Sequence, residues 1–151
     1  MWRDTASASE LREAYPEIAL SLETEDLVMG LVELGVRCIR RSRKNSPVLE
    51  IAMQDSCFLR VSPVDKGNRG VAEWVTWSWQ GSDEDETKQV LNSSFRAYVE
   101  LVSTTGQGKE VLTSFTTHCE DATALIENAI YGIRYRTGKS YKPISTRRRA
   151  A

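Results

Sequence analysis

Alternation of apolar and polar residues with a period of two is the feature that most constrains the fold of this chain. It is clearest over residues 95–102, whose sequence FRAYVELV places apolar side chains at every odd position. Successive side chains of a strand point to opposite faces of a sheet. The pattern therefore predicts an amphipathic strand with one face in a core.

The same alternation recurs in two neighbouring segments that a short turn connects. Residues 49–53 and 57–61 each place apolar side chains at every odd position, and Asp55 with Ser56 lies between them. Asp and Ser favour turns because their side chains hydrogen-bond to the local backbone. This part of the chain therefore predicts a hairpin that ends at Pro63.

Two more strands follow from weaker forms of the pattern. One covers residues 71–80, and the other covers residues 111–115 after a glycine-containing turn at 104–108. The strands are joined by short turns, which is typical of antiparallel pairing, whereas parallel strands need long crossover connections. The sequence thus predicts a five-stranded antiparallel sheet.

A helix is predicted before the strands. Thr24 is followed by two acidic residues, and this arrangement suits a helix cap and the positive end of the helix dipole. We expect the helix to run from Thr24 into the basic segment 37–44 and to end before Pro47. The apolar positions at helical spacing are Leu27, Val28, Leu31, Leu34, Cys38 and Ile39.

A second helix is predicted near the C-terminus. Thr117 with Glu120 forms a capping-box pattern, and Gly138 is a helix end signal. Residues 83–92 are open to two interpretations, a short helix or a disordered segment, because the acidic block suits both. The apolar stripe of the C-terminal helix consists of Ala122, Leu125, Ile126, Ala129, Ile130 and Ile133.

These elements define an α+β fold with the order α-β-β-β-(α)-β-β-α. We expect the N-terminal and C-terminal helices to pack on one face of the five-stranded antiparallel sheet. A chain of 151 residues favours a single domain, which we place at 1–138. Residues 139–151 are expected to form a flexible basic tail.

The order of elements resembles that of the small type III secretion chaperones and of similar dimerising α/β-sandwich adaptors. The resemblance lies in element order and includes no motif at the level of residues. Basic residues over 37–44 and in the tail depart from those acidic chaperones. The resemblance therefore implies a type of architecture, and no function is carried over from it.

Residues that could support catalysis are few. The sequence contains no P-loop, GxSxG, HExxH or dinucleotide-binding motif. His118 is the single histidine, and in a strand its side chain points away from that of Cys119. The acids at 83–86 lack the spacing and central glycine of a calcium loop. Cys119, Cys38 and Cys57 form a scattered odd set that suits reduced structural thiols. We predict a protein that is not an enzyme and has no cofactor and no metal.

Composition and the N-terminal sequence bear on location. The formal net charge is −1, and no apolar run approaches the roughly 18 residues of a membrane-spanning helix. The first fifteen residues include an early acid and lack the apolar region of a secretory signal. We expect a cytoplasmic protein without membrane contact.

The segment WVTWSWQGSDEDE suggests where a protein partner binds. Alternation places Trp77 and Trp79 on one face of the strand, and we assign them to the core. Trp74 falls on the other face among polar neighbours, where an exposed aromatic residue commonly marks an interface. We predict a non-enzymatic protein-interaction module of the adaptor, chaperone-like or inhibitor type that dimerises through its sheet, with another protein, a second copy of itself or both as its partner. The candidate interface residues are Trp74, Tyr98, Phe58 and Val102.

Nucleic-acid binding is the alternative function. Two basic segments could hold a phosphate backbone, and Tyr135 and Tyr141 lie among the second set, where they could stack on bases. The competing interpretation is a solubilising helix end and a solvated tail. The candidate residues are Arg37, Arg40, Arg41, Arg43, Lys44, Arg134, Arg136, Lys139, Lys142, Arg147, Arg148 and Arg149.

Overall fold

The computed structural model describes residues 19–67, 70–82 and 89–145, and these residues form seven strands and two helices. The α+β class, the antiparallel sheet and the two helices are confirmed. In chain order the elements are β1 (Ala19–Leu22), α1 (Thr24–Glu33), β2 (Cys38–Arg43), β3 (Ser46–Met53), β4 (Cys57–Pro63), β5 (Trp74–Ser82), β6 (Gln89–Ser103), β7 (Glu110–Cys119) and α2 (Ala122–Thr137).

The sheet is built around β6, a strand of 15 residues that pairs with three others. Residues 89–94 of β6 pair with β5, and residues 97–103 pair with β4 on one edge and with β7 on the other. β3 and β2 continue the sheet beyond β4, and β1 continues it beyond β5. The five predicted strands correspond to β3 to β7, and β1 and β2 extend the sheet.

The core lies between the sheet and the two helices. The apolar odd-numbered positions of β3, β4 and β6 that the alternation identified are buried there. Leu27 and Leu31 of α1 pack against the same cluster, together with Leu125 and Ile133 of α2. Burying one such side chain contributes about 1.5–3 kcal/mol. The helical stripes and the strand alternation therefore identify the two layers of one core.

The first helix is shorter than predicted. α1 ends at Glu33, and the prediction that it continues into residues 37–44 is wrong. Those residues form β2 and the turn after it, in which Lys44 and Asn45 have φ values of 51° and 65°. A two-residue turn of this kind matches the twist of a hairpin, so β2 and β3 pair directly.

Gly35 explains why the helix stops. Its φ is 76°, its N–H donates to the Val32 carbonyl at 2.9 Å, and the N–H of Val36 donates to the Leu31 carbonyl at 3.1 Å. This pair of bonds is a Schellman motif, which places a left-handed residue just after the helix. Glycine adopts that conformation without the penalty that a Cβ brings.

The acidic connection is a second place where the structure differs from expectation. Gln89 pairs with Ser82 at the start of β6, and residues 89–92 belong to that strand. Neither a short helix nor disorder describes residues 89–92. Residues 83–88 lie outside the described part of the chain.

The C-terminal helix forms where the apolar stripe predicts it. Asp121 caps α2, since its side chain accepts a hydrogen bond from the Ala124 N–H at 2.8 Å. Thr117, the expected capping residue, lies within β7 instead. Gly138 ends the helix with a φ of 73°, as the sequence predicted.

The packed domain extends beyond the predicted boundary at 138. The Gln54 N–H donates to the Lys142 carbonyl at 2.9 Å, and the Ile144 N–H donates to the Ala52 carbonyl at 2.9 Å. The side chain of Tyr141 is buried in the core. Residues 141–145 therefore belong to the domain, and residues 146–151 of the predicted tail lie outside the described part of the chain.

We predict that Gly35→Ala destabilises the protein by about 1–2 kcal/mol, because an L-residue pays that cost in the left-handed conformation. Gly106→Ala is the control, since Gly106 lies in an exposed turn, has no positive φ and has no atom within 4 Å of an added Cβ. Urea unfolding of both variants measures the difference. Equal free energies of unfolding would contradict this account of the helix end.

Candidate functional site

Trp74 is part of the core and offers no surface to a partner. Its exposed fraction is 1%, its ring packs edge-on against Phe95 at a centroid distance of 5.8 Å, and its indole N–H donates to Thr24 Oγ1 at 3.1 Å. The prediction of an exposed Trp74 is therefore wrong. Alternation separates the two faces of β5 but does not say which is the inner one. The side chains of Trp77 and Trp79 lie outside the described part of the structure.

The other three interface candidates share the sheet face that points away from the helices. Phe58 pairs directly with Val102, and Tyr98 lies on the same face because its position has the same parity. Phe58 and Tyr98 are half-buried, and Lys109 Nζ lies 5.6 Å from the Phe58 ring centroid. Val102, between Phe58 and Val111 in the register, is fully buried. Two of the three side chains are thus accessible, and only in part.

Ion pairs cross the middle of that same face. The Arg41 Nε donates to Glu50 Oε1 at 2.8 Å, and the Arg60 Nε donates to Glu100 Oε1 at 2.8 Å. Glu50 lies opposite Arg60 in the register, so the charges alternate in sign across four strands. A row of charges that is compensated within the chain makes this face a weak candidate for an apolar interface.

The strand edges differ sharply in charge. β2 carries three arginines in its six residues, and charges of this kind discourage strand addition. β7 is the other edge of this part of the sheet, since among the described residues it pairs with β6 and with no other strand. Residues 111–117 of β7 include no charged side chain. β7 is therefore a long edge strand without that protection.

Hydrogen bonds show which backbone groups of β7 point outward. The Thr104 N–H donates to the Ser56 carbonyl at 2.9 Å. The backbone N–H and C=O groups of even-numbered β6 residues therefore point toward β4, and those of odd-numbered residues point toward β7. From Thr113 to Cys119, odd-numbered residues of β7 lie opposite odd-numbered residues of β6. The backbone groups of the even-numbered β7 residues in this stretch therefore point away from β6. A hydrogen bond from Asn128 supports this direction, because the Asn128 Nδ2 donates to the His118 carbonyl at 2.7 Å from outside the sheet. The N–H and C=O groups of Ser114 and Thr116 thus point to the open edge.

The helix α2 packs over this strand. A Cβ at Gly132 would stand 2.5 Å from the Phe115 ring, which shows how closely the helix approaches β7. The Arg136 guanidinium lies 4.4 Å from the centroid of the Phe115 ring and 6.0 Å from that of Tyr135. Tyr135 in turn stacks on Tyr131 at 6.5 Å with an interplanar angle of 19°. The exposed fractions of Tyr131 and Tyr135 are 72% and 77%.

These elements together make the candidate site, which we call the β7 edge surface. It consists of the open edge of β7 at residues 111–117 and the adjacent tyrosine pair Tyr131 and Tyr135. Sequence reasoning did not single out Tyr131. The available signal was its spacing of four residues from Tyr135, which places both on one helix face opposite the apolar stripe.

The basic candidates are dispersed and partly neutralised. Arg40 is paired with Glu25, and Lys139 Nζ lies 3.0 Å from Asp55 Oδ2. Tyr141 is buried, so the expectation that it stacks on bases is wrong. Arg37, Arg43, Lys44, Arg134, Arg136 and Lys142 are exposed, and Arg147, Arg148 and Arg149 lie outside the described part of the chain.

One contact does bring the two basic segments together. The Arg37 N–H donates to the Ile144 carbonyl at 3.4 Å, so the start of the first segment lies beside the residues that follow Lys142. No sequence pattern indicates this contact, because residues 139–151 are predicted to form a tail.

The cysteines have the environment of structural thiols. Burial raises the pKa of Cys38 to about 11, and burial together with the charge of Asp121 raises the pKa of Cys119 to about 12. Burial also raises the pKa of Cys57. At neutral pH these groups are protonated and therefore poor nucleophiles. No group of three His, Cys, Asp or Glu side chains suited to a metal occurs in the described residues.

A shallow groove of about 590 Å³ runs from the end of α1 and the start of β2 across to β3 and β4. Val32, Ile39 and Phe58 supply apolar lining, and Arg37 and Glu50 supply charge. Cys38 is the lining thiol, and its raised pKa argues against a nucleophilic role.

The chain matches no protein-family model, no curated protein and no solved structure. Within the described residues, neither helix has the length and apolar character that crossing a bilayer requires.

We predict that Trp74→Ala lowers the free energy of unfolding by about 3–5 kcal/mol, because it removes a large buried ring and leaves a cavity. Met29→Ala is the control, and it should change stability by less than about 0.5 kcal/mol because the Met29 side chain is 60% exposed and lies outside the β7 edge surface. Chemical denaturation of both variants provides the comparison. Similar effects of the two substitutions would refute the assignment of Trp74 to the core.

Proposed function

We propose that this chain is a non-enzymatic protein-interaction module that self-associates through its sheet, by edge-to-edge pairing of β7. The observation that carries the proposal is the uncharged open edge of β7, residues 111–117, opposite an edge strand that carries three arginines. Open edges are templates for pairing, and charged side chains are a common means of preventing it. Among the described strands β1 is a third edge and is also uncharged, but it has only four residues. The length of β7 and its lack of charge therefore favour it as the strand that pairs.

The backbone geometry of β7 supports antiparallel pairing with a second copy. Ser114 and Thr116 present outward N–H and C=O groups, as the hydrogen bonds of Thr104 and Asn128 indicate. Pairing centred on Phe115 would place Ser114 of each copy opposite Thr116 of the other. Each such pair exchanges two backbone hydrogen bonds, and each bond contributes about 0.5–1.5 kcal/mol net.

The side chains of the edge are compatible with this pairing. Ser114 and Thr116 are exposed, and small hydroxyl side chains form favourable cross-strand pairs. Val111 and Leu112 are also exposed on the same strand, so pairing would remove apolar surface from water. Neither feature brings a like-charge contact into the interface, in contrast to pairing through β2.

A binding role is preferred to a catalytic one for reasons of position. His118 is exposed at the end of β7, whereas the neighbouring thiol of Cys119 is buried on the opposite side of the strand. Burial and Asp121 raise the pKa of Cys119 to about 12, which disfavours a thiolate. The proposal therefore assigns no catalytic residue.

We predict that Ser114→Pro converts a dimer into a monomer, because proline removes an outward N–H and adds a ring at the open edge. The pairing of β7 with β6 does not use this N–H, so the fold should persist. Analytical ultracentrifugation over a concentration series measures association, and thermal unfolding of the variant checks that it is folded.

Ser42→Pro is the matched control on the other edge. Ser42 lies opposite Pro47, which has no N–H to donate, so Ser42 and Pro47 form a non-hydrogen-bonded pair of the ladder. The backbone N–H of Ser42 therefore points away from β3, to the open edge of β2. This variant should dimerise like the parent protein. A parent protein that is monomeric at every concentration, or a folded Ser114→Pro variant that still dimerises, would disprove pairing through β7.

Nucleic-acid binding is a second candidate, favoured by the contact between Arg37 and Ile144 that joins the two basic segments. We predict that Arg37→Ala and Lys142→Ala each weaken binding of a single-stranded oligonucleotide and reduce its salt slope by about one. Arg40→Ala is the control, since Arg40 is already paired with Glu25. Fluorescence anisotropy at several salt concentrations makes the measurement. Undetectable binding at low salt would exclude this function.

A further inference from the structure

We infer that Tyr131 and Tyr135 form a second contact zone of the dimer, in which α2 packs against α2 of the other copy. The inference rests on the proposed pairing of β7 and assigns a role to the most exposed aromatic side chains of the described residues. It makes the partner specific, because it requires a second copy of this chain and not merely any extended strand.

The first step is the position of α2 over the edge strand. Gly132 contacts the Phe115 ring so closely that a Cβ would stand 2.5 Å from it, and Arg136 lies above the same ring at 4.4 Å. Phe115 is also the centre of the proposed strand pairing. Paired strands lie about 4.8 Å apart, whereas helices in contact have axes about 8–10 Å apart. The pairing therefore requires each α2 axis to lie about 2 Å inward of its own β7, where the two helices would touch across the two-fold axis.

The second step is the side of α2 on which the tyrosines lie. Glu127 faces a groove lined by Leu34 and Pro143, on the side of α2 that points toward α1 and the C-terminal segment. Asn128 lies on the other side, where its amide reaches the end of β7 at His118. At 100° per residue, Tyr135 lies about 20° from Asn128 around the helix, and Tyr131 lies about 60° from Asn128 and about 40° from Glu127. Tyr135 therefore borders the open edge, and Tyr131 projects beside it toward solvent.

The third step is the chemistry of the tyrosine pair. The rings already stack on each other at 6.5 Å, and Arg136 is held between Tyr135 and Phe115. This prior order lowers the conformational cost of burying the rings. Tyrosine is enriched among the residues that dominate interface energies, since it offers a large apolar body and a polar tip.

The fourth step is symmetry. A two-fold axis near Phe115 brings identical surfaces of two copies together, as in most homodimers. Gly132 and Arg136 lie at the level of Phe115, and Tyr131 and Tyr135 are their immediate neighbours in sequence. The tyrosine pair of each copy therefore lies within about one helical turn of the axis level.

Chemical cross-linking tests the arrangement. Tyr135→Cys should give a covalent dimer with a short bis-maleimide, and the cross-link should disappear when Ser114→Pro is added. Glu127→Cys is the control, because it is exposed and lies about 80° around α2 from Tyr135, toward the groove lined by Leu34 and Pro143. The native thiols interfere little, since Cys57 and Cys119 are buried and burial raises the pKa of Cys38 to about 11.

An affinity measurement completes the test. The double variant Tyr131→Ser, Tyr135→Ser should weaken dimerisation by about tenfold or more while the fold is unchanged, as circular dichroism would verify. If Ser114→Pro abolishes the dimer but the double variant retains the parent affinity, the inference is wrong and the proposed function stands. If the parent chain is monomeric, both fail. Loss of oligonucleotide binding in the double variant, with dimer affinity unchanged, would assign the tyrosines to nucleic acid and overturn the inference.

Discussion

The hydrogen bonding of β6 is the constraint on which the rest of the structure depends. This strand pairs with β5 along its first part and lies between β4 and β7 along its second part. Its odd-numbered residues, such as Val99 and Leu101, are buried under the helices, and its even-numbered backbone groups face β4. The parity of one strand therefore fixes both the core face and the direction in which β7 presents its free backbone groups.

Local patterns predicted the elements well where a single periodicity was present. The alternation over residues 95–102 and the apolar stripe of α2 correspond directly to a strand and a helix. The predicted first helix was too long because Cys38 and Ile39 fit both the helical period and the period of two. Gly35, with its positive φ, is the residue that ends the helix. Trp74 was misplaced because its partner Thr24 is distant in sequence, so its burial depends on a contact that no local pattern contains.

The candidate site was only partly foreseeable for the same reason. The sequence predicts dimerisation through the sheet from aromatic positions on its outer face, whereas the proposed choice of edge requires knowing that β7 pairs on one side among the described residues. Tyr131 and Tyr135 can be placed on one helix face from sequence, but their nearness to that edge depends on how α2 lies over Phe115. Strand order and helix placement are thus the information that the sequence did not provide.

The C-terminal segment has a consequence for folding during synthesis. Ile144 forms backbone hydrogen bonds with both Arg37 and Ala52, residues that leave the ribosome long before it. The hairpin of β2 and β3 therefore emerges early but keeps unpaired backbone groups at one end until the last described residues are made. Exposed strand groups of this kind favour misassembly in nascent chains. A premature stop just after α2 would retain the sequence of every named strand and helix, but it would remove the buried Tyr141 and leave that end of the hairpin permanently open.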